Sequence, residues 1–267
     1  MGLFDFFKKD EENQKPKLNH EDSNVLLSMP IFTKGNRYQL ENLVSGLRSD
    51  WGLTISQIDG NDDSAVLTIE GEMVAIAFMS FPIPAEEIEN TAYYAYNWPN
   101  ALSEVQKVDG HAIVSVMSSN NSTLNRFILQ TKILMSILNH GNAFGIYQGS
   151  QTLLFPKDQY LAFESHIKEG NTPVPLWVYF GVQSTEEGNS MYTYGLKEFN
   201  KMEMEVLHAS DSLENIHTFL LNICSYIINN DVSFQDGETL GYTQDQHVLI
   251  SKSKGHFLDG ETLKLAI

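Results

Sequence analysis

The chain of 267 residues contains a single cysteine, Cys224. A disulfide within the chain is therefore excluded, and with it the disulfide-stapled class of secreted domains. Cys224 lies in the apolar run IHTFLLNICSYIINN. A thiol in such surroundings is usually a small core residue, whereas a nucleophilic cysteine needs a neighbouring base and a lowered pKa. The sequence thus predicts a buried, reduced thiol and a cytoplasmic protein.

Positive charge is also scarce. The chain contains seventeen Lys and Arg residues and thirty-four Asp and Glu residues, which gives a formal net charge of -17. A surface of this sign repels nucleic-acid phosphates and anionic headgroups, so no nucleic-acid partner is predicted. The acidic net charge favours a basic protein as the partner. The alternative, which we keep open, is that the charge only keeps the protein dispersed.

No apolar run approaches the roughly 18 residues that span a bilayer, so no transmembrane segment is predicted. The opening stretch MGLFDFFKK lacks the apolar core and the cleavage site of a secretory signal. Phe6 occupies the position where an N-myristoylation motif requires Ser or Thr. Neither export nor lipid anchoring is therefore expected.

The first 23 residues predict an amphipathic peptide on a flexible tether. On a helix the four apolar side chains of the opening stretch would share one side. These candidate docking residues are Leu3, Phe4, Phe6 and Phe7. The polar, charged stretch that follows is typical of a tether. The alternative is a frayed end, because so short a helix is marginal alone in water.

What the chain does contain is a recurring pattern of strand, helix and two strands. NVLLSMPIF predicts a strand, YQLENLVSGLRSDWGL a helix, and SAVLTIEG with EMVAIAFMSF two further strands. Similar orders restart at HAIVSVM and at MEMEVLHAS. The predicted strands begin near Val25, His111 and Glu203, which gives a period of about 90 residues.

We therefore predict an α+β fold of tandem ferredoxin-like (split β-α-β) units with antiparallel sheets, built from repeated β-α-β-β segments. The first unit is expected over residues 24–110. A second, duplicated unit is expected over residues 111–267, packed on the first. Helices from Glu86 and from Pro156 would complete the two units.

Recognisable catalytic and metal-binding motifs are missing. The eight histidines show neither the i, i+4 spacing of a helical zinc site nor an HExxH arrangement, and no Gly-rich phosphate loop or G-x-S-x-G elbow occurs. Asp59, Asn61, Asp63 and Glu70 match EF-hand positions, but Ser64 stands where that loop requires glycine. We predict an acidic turn there, and neither a metal nor a cofactor.

A candidate binding surface follows from the aromatic and acidic clusters. TAYYAYNWPNA concentrates tyrosine and tryptophan, whose polar tips suit partly hydrated contacts. Packing against a neighbouring unit is the alternative. The second aromatic region, WVYFGV with MYTYG, reads first as core strand. MEMEV alternates acids with apolar residues, as one face of a strand does. The candidate surface comprises Tyr96, Trp98, Tyr194, Glu203 and Glu205.

The motifs AYNWPNAL, GIYQGSQTLLFPKDQY and YTYGLKEFNKMEMEV, in this order, resemble the bacterial domain-of-unknown-function family numbered 4261. The resemblance runs from about Leu26 to the C-terminus. It implies a bacterial, cytoplasmic setting. It brings no catalytic residues, since the family has no established activity.

Three functions are compatible with these observations. The first is a non-catalytic protein-interaction module, an immunity-type inhibitor or adaptor for a cationic partner. The second is an enzyme or small-ligand sensor whose cleft, between the α+β units, is lined by the candidate surface. In the third, the N-terminal peptide recruits the domain to a membrane or a larger assembly. The oligomeric state is left open.

Overall fold

A computed structural model describes residues 25–117, 121–242 and 247–267. It contains two sheets, one antiparallel and one mixed, together with helices, and it therefore confirms the predicted α+β class. The predicted docking peptide and tether, residues 1–23, lie outside the described residues.

The described residues of the first part of the chain form seven strands and four α-helices. In chain order they are β1 (Leu26–Thr33), α1 (Leu40–Trp51), β2 (Ile55–Gly60), β3 (Ser64–Ile69), β4 (Glu72–Met79), α2 (Ala85–Tyr94), α3 (Ala101–Val105), β5 (Val108–Val116), α4 (Thr123–His140), β6 (Gly145–Gln148) and β7 (Leu153–Pro156).

The rest of the described chain forms six strands and three α-helices. They are α5 (Lys157–Leu161), α6 (Glu164–Lys168), β8 (Tyr179–Thr185), β9 (Gly188–Tyr194), β10 (Met204–Ala209), α7 (Leu213–Asn229), β11 (Thr239–Gly241), β12 (His247–Lys254) and β13 (Glu261–Ala266). None of the described helices is both long enough and apolar enough to cross a membrane.

The first sheet has the order β2-β3-β4-β5-β1-β6-β7, and all its pairs are antiparallel. Strand β5 lies between β1 and β4, and β1 lies between β5 and β6. The expected boundary after residue 110 falls inside β5, and the sheet continues to Pro156. Strands from both expected units thus build one sheet, while the division into two units stays a prediction.

Helices α1 and α4 pack side by side over one face of this sheet. Gly46 of α1 makes room for α4, because a Cβ atom there would lie 2.4 Å from Cδ2 of His140. Nε1 of Trp51 donates to Oγ of Ser136 at 3.2 Å. Nε2 of His140 lies 2.7 Å from Oδ2 of Asp50. The shorter pair α2 and α3 covers part of the opposite face, over Ile31 and its neighbours.

The predicted acidic turn connects β2 and β3. Hydrogen bonds and an ion pair with nearby residues account for its polar and acidic side chains. Oδ1 of Asn61 accepts the backbone N–H of Asp63 at 2.8 Å. Oδ1 of Asp62 accepts the N–H of Leu40 at 2.7 Å, so this carboxylate caps the start of α1, where Gln39 makes no side-chain cap. Asp63 pairs with Arg37 at 2.8 Å.

The second sheet has the order β11-β12-β13-β10-β9-β8, in which β10 and β13 are parallel neighbours and the other pairs are antiparallel. The core is continuous across α4 to this part of the chain. Nε1 of Trp177 donates to Oγ1 of Thr131 at 2.9 Å, and Phe127 stacks on Phe199 at 4.3 Å between ring centroids. Cys224 is buried in this core, as predicted, and burial raises its pKa.

Candidate functional site

A series of aromatic rings crosses the outer face of the second sheet. Tyr96 follows α2 and lies 6.1 Å from Tyr179 of β8, measured between ring centroids. Tyr179 lies 6.2 Å from Tyr192 of β9, and Tyr192 stacks on Phe257 at 4.9 Å. We call these four residues the aromatic strip. It joins the helix pair of the first sheet to the loop between β12 and β13, and all four rings are at least partly exposed.

Strand pairing explains the position of Tyr192. It pairs with Gly181 of β8 in the antiparallel register. A Cβ atom at Gly181 would lie 2.1 Å from the Tyr192 ring, so the ring lies directly on the glycine backbone. Glycine weakens a strand interior and often marks a close approach of this kind. Gly181 therefore sets the height of the strip above the sheet.

Glu205 of β10 lies beneath the strip and holds its far end. It is 0% exposed. Its carboxylate accepts the backbone N–H of His256 at 2.9 Å and that of Phe257 at 3.0 Å. Nζ of Lys264 lies 3.0 Å from its Oε2 atom. Because these bonds fix the loop that carries Phe257, Glu205 positions that ring against Tyr192.

The electrostatics of the strip follow from this arrangement. Burial raises the pKa of the Glu205 carboxyl, but hydrogen bonds from the His256 amide, Lys264 and the Phe257 amide outweigh it, so the pKa is lowered overall. Burial, reinforced by nearby Tyr94 and Glu205, raises the pKa of Tyr192 to about 12. The hydroxyl of Tyr192 is therefore protonated at neutral pH and can donate.

Glu203 has different surroundings, although it is only two residues away. Its carboxylate accepts Oγ1 of Thr193 at 2.8 Å and the backbone N–H groups of Gly195 at 2.8 Å and Lys197 at 3.2 Å. Burial outweighs these bonds and raises the pKa of Glu203. Since β10 begins at Met204, Glu203 lies outside the strand, and the predicted strand alternation does not extend to it.

Tyr194 and Trp98, the two remaining predicted residues, lie in different places relative to the aromatic strip. Tyr194 pairs with Tyr179 across β8 and β9 and borders the strip, with Nζ of Lys197 5.0 Å from its ring centroid. Trp98 instead packs against Phe144, 6.3 Å away, beside the core under α2 and α3. Of the five predicted residues, Tyr96 belongs to the strip and Tyr194 and Glu205 adjoin it. Trp98 and Glu203 belong to separate clusters.

Sequence reasoning missed three members of the strip. Tyr179 and Tyr192 lie in WVYFGV and MYTYG, which read first as core strands. Their alternation with buried Phe180 and Met191 was the available signal for an outward face. Phe257 follows a strand end in a glycine-bounded loop, and no sequence pattern placed it opposite Tyr192.

A groove with a volume of about 1050 Å³ lies elsewhere, between α1 and the β2–β3 hairpin. Its polar lining includes Arg37, Arg48 and Asp62, and its apolar lining includes Val44 and Ile58. None of the five predicted binding residues lines it. Among the residues that the structure describes, no group of three or more His, Cys, Asp or Glu side chains could hold a metal ion.

The family model described as Domain of unknown function (DUF4261) matches residues 192–266. The match confirms the family resemblance over this range, which contains Tyr192, Glu205, Phe257 and the last four strands. The two earlier motifs, AYNWPNAL and GIYQGSQTLLFPKDQY, precede the matched range. No curated protein and no solved structure matches the chain.

Proposed function

We propose that this protein is a non-catalytic interaction module that binds a basic protein partner through the aromatic strip, as an immunity-type inhibitor or adaptor does. The observation that carries the proposal is the unbroken series of partly exposed rings from Tyr96 to Phe257. Tyr96, at one end, is 60% exposed. Exposed tyrosines on a rigid sheet are typical anchors of protein interfaces.

Ring chemistry and net charge both favour a cationic partner. The faces of tyrosine and phenylalanine attract ammonium and guanidinium groups within about 6 Å of the ring centroid. Lys197 already occupies such a position over Tyr194, which borders the strip. The net charge of -17 would steer a basic partner towards the molecule and speed association at low salt.

The test is capture of partners from the native host by the full chain, at about 50 mM and about 300 mM salt, because screening shortens the reach of surface charge over this range. Tyr96→Ala should weaken capture of a specific basic protein severalfold. Tyr226→Ala is the matched control, since Tyr226 is 52% exposed on α7, outside the strip. Equal capture by both variants, or the absence of a salt-sensitive partner, would refute the proposal.

The groove beside α1 supports a second candidate, a small-ligand sensor or an enzyme. Its volume of about 1050 Å³ and its mixture of arginine and carboxylate groups suit a polar metabolite. A thermal-shift screen of metabolites, repeated with Arg48→Ala, tests this candidate. A ligand that stabilises the wild-type chain but not the variant would support it, and no stabilisation by any ligand class would count against it.

The ferredoxin-like arrangement is also a proposal, and we confine it to residues 26–148. It is supported by the strand order β4-β5-β1-β6. Helix α4 leads from β5 to β6, which runs in the same direction beyond β1, and α1 begins the connection from β1 that reaches β4, beyond β5, after strands β2 and β3. The parallel neighbours β10 and β13 leave no strand between them, so the second sheet lends it no support. An experimental structure with α1 and α4 on opposite faces would refute it.

A cytoplasmic location in a bacterium completes the proposal. It is supported by the single, buried thiol of Cys224 and by the family resemblance. Fractionation of the native host checks it, and recovery of the protein outside the cytoplasm would refute it.

A further inference from the structure

We propose that the N-terminal segment docks on the chain's own first sheet, where its apolar residues Leu3, Phe4, Phe6 and Phe7 cover an aliphatic face that the helices leave open. This role is distinct from the aromatic strip, which belongs to the second sheet.

The open face is defined by two adjacent rows of side chains that point away from α1 and α4. One row runs across four strands as Leu27, Ser115, Ala75 and Val66, and each neighbouring pair is in register. The next row begins with Val25, two residues before Leu27, and includes Met73. The four large apolar members, Val25, Leu27, Val66 and Met73, are 39% to 50% exposed.

Such a face is unusual for a solvated sheet. The outward positions of an antiparallel sheet are normally polar, so that apolar and polar residues alternate along each strand. Here aliphatic residues occupy both faces of β4, since Met73 points outward and Val74 is fully buried. Contiguous exposed apolar surface of this kind marks a contact site. The pair α2 and α3 covers the same face further along β1, at Ile31, but not at Leu27.

The position of Val25 identifies the occupant. The described chain begins at this residue, which is itself part of the open face. The segment before it carries the cluster LFDFF, followed by residues 8–24. Those seventeen residues can span at most about 56 Å, whereas β1 and β3 are three strand spacings, about 14 Å, apart. The cluster can therefore reach every part of the open face.

The composition and charge of the N-terminal segment also suit docking on the open face. A short amphipathic peptide is marginal as a helix in water and gains stability by burying its apolar side. Lys8 and Lys9 follow the apolar cluster. Asp59 of β2 pairs with Val66 and is exposed at the end of the same row, where it can attract one of these ammonium groups. The tether adds an effective concentration of about 1 mM, so even weak docking is populated.

A single-cysteine reporter tests the proposal in the full chain. Cys224 is buried and its pKa is raised, so it should react slowly with a maleimide and leave a low background. Ser115→Cys places a thiol in the middle of the open face. If the Kd of the cluster is about one-fifth of its effective concentration, the face is occupied about five-sixths of the time, and labelling should be about sixfold slower than on an uncovered face.

The comparison is with a chain in which the four apolar residues of the segment are replaced by serine, which should restore fast labelling. Replacing residues 11–14 by serine instead is the matched control and should leave the protection intact. Ser253→Cys, on an exposed position of β12, should label equally in all chains. Should Ser115→Cys fold poorly, as judged by its melting temperature, Thr68→Cys reports on the same face.

Equal labelling of Ser115→Cys with and without the apolar cluster would overturn the proposal. Protection that grows with protein concentration would also overturn it, because a second copy of the chain would then be the cover. Protection that is independent of concentration and is lost only with the apolar cluster is the expected result. It would hold whether or not the aromatic strip binds a basic partner.

Discussion

The outward faces of the two sheets differ in chemistry. The open face of the first sheet is aliphatic, with Val66 and Met73 about half exposed. The corresponding face of the second sheet carries tyrosine rings above a buried ion pair between Glu205 and Lys264. It is partly covered by its own loop, because Phe257 stacks on Tyr192.

This difference separates two kinds of contact surface in one chain. Tyrosine has a polar tip and tolerates a partly wet face, so the strip can remain exposed until a partner binds. A mainly aliphatic face offers few polar groups to water and gains most from a permanent cover. The second sheet therefore suits a reversible partner, and the first suits a tethered one.

The largest expected effect comes from breaking the ion pair beneath the strip. Glu205→Ala removes the carboxylate that pairs with Lys264 and accepts two backbone N–H groups, and should lower the free energy of unfolding by about 3–5 kcal/mol. Denaturant unfolding measures the loss. Glu261→Ala is the control, because that carboxylate is largely exposed and pairs with Lys252 at the surface. Similar losses in the two variants would show that Glu205 is not the anchor.

A smaller loss is expected from lifting the strip off the sheet. Gly181→Ala places a methyl group where the Tyr192 ring lies, and should cost about 1–3 kcal/mol as well as perturb the near-UV circular dichroism of the tyrosines. Gly241→Ala in β11 is the matched control, since a Cβ atom there meets nothing within 4 Å. If the two variants have the same melting temperature, the Tyr192 ring does not rest on Gly181 in solution.

The two acids before and within β10 should give opposite pH dependences. The lowered pKa of Glu205 means that its stabilising contribution is present above its unfolded pKa of about 4.3 and is lost as pH falls through the folded value. The raised pKa of Glu203 means that its contribution is present below about pH 4.3 and is lost as pH rises through the folded value.

Unfolding free energies of Glu205→Gln and Glu203→Gln between about pH 3 and pH 8 measure this difference, since the range includes the ordinary glutamate pKa. As pH rises, the free energy of unfolding of wild type should increase relative to that of Glu205→Gln. The free energy of unfolding of Glu203→Gln should instead increase relative to that of wild type. Parallel pH profiles for the two variants would contradict the distinct environments assigned to these carboxyls.

The smallest effect is expected on the open face. Met73→Thr should change the free energy of unfolding by no more than about 1 kcal/mol, because the side chain is half exposed. Val74→Thr, the next residue of β4, buries a hydroxyl in the core and should cost more, about 1–3 kcal/mol. Denaturant unfolding measures the free-energy change of each variant. A larger loss for Met73→Thr than for Val74→Thr would reverse the assignment of the two faces of β4.

Strong periodicity predicted most elements correctly. Helix α1 lies where apolar spacing placed it, and α4 and α7 follow the strands that begin the second and third rounds of the predicted strand-helix pattern. Strand β2 was missed because it is an edge strand with almost no buried residue, so its sequence carries no alternation. Strand β13 was missed at the C-terminal end, where ETLKLA was not separated from the preceding turn.

The arrangement of the strands and of the site was harder to predict. That β5 inserts between β1 and β4 is decided by tertiary packing, and no local pattern records it. Tyr96, Tyr194 and Glu205 were singled out because their residue types are unusual in number and position, and the structure places them close together, with Glu205 buried beneath the strip. Their partners depend on Gly181 and on a loop held by Glu205, which are long-range relations.

The central place of β1 has a consequence for synthesis. Its two neighbours in the sheet are β5 and β6, which emerge from the ribosome only after residues 108–116 and 145–148 have been made. At about 10 residues per second, the apolar strand LLSMPIFT waits roughly 10 s before it is paired on both sides. During that interval the apolar side chains of β1 lack a sheet neighbour on one or both sides, so slowing translation before residue 148 should increase aggregation more than slowing it afterwards.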